Sequence, residues 1–206
     1  MYNSGITALE LMDSIKKEVD ISYPIADETL LRTINTVEQF IYTEILKEHV
    51  KQEFSNLSSD EQFAIELADI NVPDDVATPI FDDIIKVFAN EDEVERSGIS
   101  GVLNFPDKNL YYNNYDGKIT LSLCESPDNV TIIYRLRPTL KTANNANSAI
   151  IALPVEFVEL VAAKLRGEMY KIANEDGLSA KWLSEYNVQL ENFKVWAAER
   201  MTRYGG

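Results

Sequence analysis

The chain has 206 residues, 45% of them hydrophobic and 10% aromatic, which suffices for a core and excludes disorder throughout. Its 19 Lys+Arg against 34 Asp+Glu leave a net charge of −15, which disfavours charge-driven binding to phosphate backbones or anionic lipid. No run reaches the roughly 20 apolar residues of a membrane-crossing helix, and Met1-Tyr2-Asn3-Ser4-Gly5 has neither the basic flank nor the apolar stretch of a signal peptide, so a cytosol-like compartment is expected.

The first predicted helix covers 7–20. Thr7 and Glu10 form a capping box, with Ile6 and Leu11 at the staple positions. Ala8, Leu11, Met12, Ile15 and Val19 then fall on one helical face. The turn Ile21-Ser22-Tyr23-Pro24 ends it. Asp27 is placed to cap a second helix over 27–51, with Leu30, Leu31, Ile34, Val37, Ile41 and Ile45 inward.

From about residue 54 the period changes to two. Phe63, Ile65 and Leu67 alternate, Pro73 and Pro79 punctuate an acidic loop, and Ile80–Phe88 is rich in β-formers. Asp116-Gly117 suits a hairpin turn between Leu110-Tyr111-Tyr112 and Lys118–Leu123. Val130–Leu136 is a last strand, stopped by Pro138. Four to six strands are expected.

The polar stretch 141–148 has no periodicity and reads as a mobile connection. Pro154 opens a third helix over 154–174, with Phe157, Leu160, Val161, Leu165, Met169 and Ile172 inward. Asn174-Glu175-Asp176-Gly177 closes it. Ser179 caps a fourth over 179–203, with Trp182, Leu183, Tyr186, Leu190, Phe193 and Ala197 inward. None of the four helices has another apolar partner nearby in sequence. The expected fold is therefore α+β: a four-helix bundle of N- and C-terminal pairs with an inserted antiparallel β-sheet or small sandwich. Residues 1–53 and 139–206 form the helical base, and 54–138 the β-rich insertion.

Catalytic chemistry has little to build on. Cys124 is the only cysteine and His49 the only histidine, so zinc and disulfide frameworks lack ligands within one chain. His49 has no nucleophile motif beside it and reads as a solvated helix-end residue. Gly98 and Gly101 lack the lysine and following helix of a phosphate loop. The acids cluster instead. Residues 1–100 hold 7 Lys+Arg and 22 Asp+Glu, the remainder 12 of each, and Glu53–Glu95 carries 13 acids against Lys86 alone. Asp74-Asp75, Asp82-Asp83 and Glu91-Asp92-Glu93 are paired acids, but neighbours on a strand point to opposite faces. A solvated acidic face is the expectation, with a carboxylate hydrolase using Asp82 and Asp83 the remote alternative. The sequence gives no reason to expect an enzyme, a metal or a cofactor.

Two stretches suit contacts. Tyr111, Tyr112 and Tyr115 suit cross-strand packing or a contact surface on the β insertion. The C-terminal segment carries Trp196, Arg200, Arg203 and Tyr204, residue types enriched at interface hot spots, on a net basic background. It reads equally as a frayed helix end or a partner-docking segment.

Ile6-Thr7-Ala8-Leu9-Glu10-Leu11, followed by Leu30-Leu31-Arg32-Thr33-Ile34-Asn35, resembles the opening helix pair of the head-to-tail connector proteins (adaptor or head-completion proteins) of tailed bacteriophages. Leu153–Leu160 with Lys164-Leu165-Arg166-Gly167-Glu168 resembles their third helix, and Asp176 through Trp182 to Tyr186 the join to their last long helix. The resemblance covers both helical ends, about half the chain, and the β insertion departs from smaller members. It implies a non-enzymatic structural protein of the virion neck, assembled in the host cytoplasm as a ring, commonly of twelve copies. Such a ring docks on the portal protein, extends the channel through which DNA passes without sequence-specific binding, and receives a tail protein. An acidic wall would keep DNA from sticking. The alternative is a tail-associated β-module that binds host surfaces or carbohydrate through its tyrosines.

Overall fold

The computed structural model describes residues 2–19, 24–55, 62–66, 70, 77, 79, 83–96, 110–115, 118–123 and 128–204. The side chains of 62–64, 95–96, 110–115, 118–123 and 201–204 lie outside that description. The chain divides into two compact units, Met1–Leu46 with Pro138–Gly206, and Lys47–Arg137. The fold is α+β, a four-helix arrangement from the N- and C-terminal pairs with an unclosed β-sheet inserted between them.

Helix α1 spans Ala8–Glu18. Its capping box forms: the Glu10 amide donates to Thr7 Oγ1 at 3.2 Å and the Thr7 amide to Glu10 Oε2 at 2.9 Å. The next two amides, of Ala8 and Leu9, donate to the carbonyls of Ala149 and Ala146 at 2.9 Å each. First-turn donors that a helix cannot satisfy internally are thus met by a segment some 140 residues away in sequence. All five expected inward residues of α1 are buried.

Helix α2 spans Asp27–Phe40 and continues as a π-helical turn, Ile41–Leu46. Ala26, not Asp27, occupies the N-cap; Asp27 is the first helical residue and pairs with Lys16 of α1. The expected extension to Lys51 does not form. Lys47 takes a left-handed φ of 49°, which stops the helix, and His49–Ser55 is a strand. His49 is therefore an exposed strand residue and not a helix end. The wider π turn also shifts the inward face, burying Tyr42 and Leu46 where an unbroken α-period places Ile45.

Helix α3 spans Val158–Ile172, after a 3-10 turn at Val155–Phe157 whose N-cap is Pro154. It is the central helix of the unit and contacts the other three. Val158, Ala162, Ala163 and Gly167 are buried besides the expected Leu160, Val161, Leu165 and Met169, whereas Ile172 is exposed. Asn174 adopts φ 59° and closes the helix. Helix α4, Asp176–Tyr204, begins three residues before Ser179. Ser179 is consequently no cap; its Oγ donates to the Gly167 carbonyl at 2.9 Å. A Cβ on Gly167 would lie 2.8 Å from Leu183 Cδ2, so glycine is what permits this helix crossing.

Two ion-pair systems pin the unit. Glu38 and Lys141, both buried, pair through Oε2 and Nζ, while the other Glu38 oxygen accepts from the Ala152 amide at 2.7 Å. One turn earlier, Asn35 clamps the Lys141 backbone with two hydrogen bonds of 2.8 Å. Burial pushes the Glu38 carboxyl up from its usual range, against the pull of Lys141 and the Ala152 amide. The 141–148 stretch is thus bonded to α2, and, through Ala146, to α1. Its lack of periodicity reflects a series of turns built on Thr142 and Asn145 and anchored to α2 and α1 through Lys141 and Ala146. Arg166 forms the second system. It meets Glu18 at 2.6 and 3.0 Å, pairs with Glu159, and lies 4.6 Å from the Trp182 ring centroid, so one guanidinium ties α1, α3 and α4.

Among the described residues the other unit holds seven strands, more than the four to six expected, in the order β1-β7-β3-β4-β5-β6-β2: β1 His49–Ser55, β2 Gln62–Glu66, β3 Ile84–Ala89, β4 Asp92–Arg96, β5 Leu110–Tyr115, β6 Lys118–Leu123 and β7 Asn129–Arg135. Pairings are antiparallel except β4 with β5, which is parallel. Tyr115 stands opposite Lys118, the register a two-residue hairpin requires; Asp116 and Gly117 themselves lie outside the described residues, as do Leu67, Pro73, Asp74 and Asp75. Along β7, Val130, Ile132 and Tyr134 are fully buried and Leu136 continues the face. The β3 strand starts at Ile84, and a bulge between Ile84 and Lys86 moves the buried parity to Val87 and Ala89 and leaves Ile85 exposed.

Candidate interaction surfaces

The end of α4 carries an aromatic cluster. Phe193 is buried; Phe157 stands edge-on to it at 4.9 Å, and Trp196 lies 5.3 Å from Phe193 and 5.2 Å from Phe157. Tyr2 meets Trp196 edge-on at 5.4 Å, and its backbone amide donates to the Tyr42 hydroxyl at 3.2 Å. Arg200 lies over both rings, 5.1 Å from Tyr2 and 5.6 Å from Trp196. The structure therefore brings Trp196 and Arg200 together, but as a brace between the N-terminal segment and α4. Trp196 is half-buried, and Arg200 is exposed above it. Arg203 and Tyr204 lie on the last turn of α4, with side chains outside the described residues.

In the β unit, β5 carries Tyr111, Tyr112 and Tyr115, opposite Ser122, Leu121 and Lys118 of β6. Their side chains also lie outside the described residues. Of the acid pair 82–83, Asp82 is not described. Asp83 is buried, its Oδ2 2.7 Å from Arg137 Nε, so it departs from the expected solvated acidic face. The run Glu91-Asp92-Glu93 is exposed at the β3–β4 turn, as expected.

That turn is built rigidly. Ala89 pairs with Asp92, which leaves Asn90 and Glu91 as the connecting residues, and Asn90 takes φ 54°. Asn90 Oδ1 accepts from the amides of Asp128 and Asn129 at 3.0 and 3.4 Å, and the Asn90 amide donates to the Asn129 carbonyl at 2.9 Å. Glu93 pairs with Lys86 at 2.8 Å. Glu91, Asp92 and Asp128 remain as exposed acids on a braced tip.

The helical unit offers a groove that the sequence reading missed. It lies between the outer face of α2 and the 140–144 turn, encloses about 530 Å³, and is lined by Glu28, Arg32, Thr36, Gln39, Leu140 and Asn144 among others. Leu140 is half exposed. Arg32 is exposed and joins none of the ion pairs among the described residues. The groove was hidden because its two walls are about a hundred residues apart in sequence and meet only through the Asn35–Lys141 clamp.

Among the described residues no group of three or more His, Cys, Asp or Glu could hold a metal, and no helix is long and apolar enough to cross a membrane. No protein-family model matches the chain, and no curated protein matches it.

Proposed function

We propose that this chain is a ring-forming structural protein of the phage neck that docks on a portal, extends the DNA channel and receives a tail component. The observation that carries the reading is that residues from both ends of the sequence form a single helical unit. These are the same stretches that resemble the connector proteins, and their packing depends on one another through Glu18–Arg166 and Glu38–Lys141. The α4 end, with Arg200 over Trp196 and Tyr2, is the portal-docking element, and the β unit supplies the tail-facing surface. No catalytic role is assigned to any residue.

Native mass measurement of the chain, free and mixed with its portal, tests the proposal. A ring in at least one condition is expected; a monomer in both rejects it. Deleting 200–206, which removes Arg200, Arg203 and Tyr204 together, should prevent portal attachment without changing the helical circular-dichroism signal. Undiminished attachment of the shortened chain would remove the docking assignment and leave the ring intact.

A further inference from the structure

The Arg32 end of the groove on α2 and the acidic tip of β3–β4 are complementary in charge and bonding groups. From Glu28 to Gln39 the groove residues span 12 positions of helix, an axial distance of roughly 16 Å. Arg32 is an exposed guanidinium that forms no ion pair among the described residues, in a chain whose acids outnumber its bases, and it lines a recess shared with the side-chain amides of Gln39 and Asn144. These groups donate to carboxylates, and the guanidinium does so in a two-pronged fashion. On the other surface, Asn90 holds Glu91, Asp92 and Asp128 in one fixed tip, so little conformational freedom is lost when it docks. Glu28, one turn before Arg32, repels the acids from that end of the groove and so sets the direction in which the tip lies.

We infer that the groove receives the β3–β4 tip of a second copy of this chain. The inference rests on the ring-forming reading and deepens it. Groove and tip are different surfaces, so the contact is head-to-tail, and a head-to-tail contact repeated around a closing rotation gives a ring. Being largely electrostatic, it weakens as salt rises.

A charge swap tests it, with mass read by native mass spectrometry and sedimentation, free and with portal. Arg32→Glu alone, and Glu91→Lys with Asp92→Lys alone, should each leave only monomer while retaining the wild-type circular dichroism, since all three side chains are exposed. Mixing the two variants should restore assembly, because every tip then meets a groove of opposite sign. Assembly of either variant by itself, or a mixture that stays monomeric, overturns this contact while the ring reading survives in the wild-type chain. A wild-type chain that never exceeds monomer overturns both.

Discussion

The two units solve the problem of burial differently. In the sheet, a period of two does the sorting: Val130, Ile132 and Tyr134 go inside, and most charge is left on the surface. Lys47–Arg137 holds 18 Asp+Glu and only 8 Lys+Arg; its ion pairs at Lys51–Glu53 and Lys86–Glu93 are exposed, and Asp83, paired with Arg137, is the acid it draws in among the described residues. In the helical unit, polar groups are drawn in and matched, as at Glu38–Lys141, Arg166 and Ser179–Gly167. The contrast has a physical origin. A strand's register is set by its alternating apolar pattern and its turns, since a one-residue slip turns every side chain to the other face, whereas helices packed by apolar faces can slide or rotate, so a matched polar pair serves to fix one arrangement.

Breaking the deepest pin should have the largest effect. Glu38→Ala leaves the Lys141 ammonium and the Ala152 amide buried without a partner, and a loss of about 3–5 kcal/mol in urea unfolding is expected. Replacing both Glu38 and Lys141 by Met should recover most of that loss, since desolvating the charges already opposes the pair. A double variant as weak as Glu38→Ala would show that the pair is stabilising in its own right.

Next comes Ile132→Ala at the centre of β7, with an expected cost of about 2–5 kcal/mol. Trp182 and Trp196 both belong to the helical unit, so tryptophan fluorescence reports that unit directly. The substitution should shift the β-sheet signal in far-ultraviolet circular dichroism and leave the tryptophan transition in place. A tryptophan transition that moves equally would mean the two units unfold as one.

Gly167→Ala sharpens the comparison further, because its Cβ meets Leu183. A cost of about 1–3 kcal/mol is expected, with recovery when Leu183→Ala is added. Thr7→Ala should be smallest, about 1 kcal/mol for a lost cap. The Thr7 amide and then its hydroxyl hold the Glu10 carboxyl below its usual range. Because that value is lowered in the folded state, the capping contribution is present above the ordinary carboxylate range and fades as pH falls through the lowered value. Titrating wild type against Glu10→Gln should show this acid-side difference, and superimposable curves would remove Glu10 from the cap.

Much of the fold was legible locally. The Thr7–Glu10 box, the apolar face of α1 and the alternation of β7 are each set by neighbours within a few residues. What was not legible depends on partners far away. The end of α2 lies earlier than its periodicity indicates because Val50, Gln52 and Phe54 alternate over only a short stretch, and nothing local announces the left-handed Lys47. The segment 141–148 reads as unstructured because its bonds go to Asn35, Glu38 and the start of α1. For the interaction surfaces, Trp196 and Arg200 were recognised as unusual residues, but their packing on Tyr2 needed the two chain ends brought together. The groove beside Arg32 has no sequence signature at all.

The chain leaves for the β unit through β1 and returns through β7, and those strands are paired from His49–Arg135 to Ser55–Asn129. Residues 56–128 are thus entered and left through that pair, and β7 also carries β3 on its other edge, so the excursion is part of the sheet that buries Val130, Ile132 and Tyr134. Closing a longer or shorter excursion there changes the chain entropy by only about 0.6 kcal/mol per doubling of length. The length of chain between Ser55 and Asn129 can accordingly change at small entropic cost, whereas β3 cannot leave the edge of β7 without uncovering Val130, Ile132 and Tyr134.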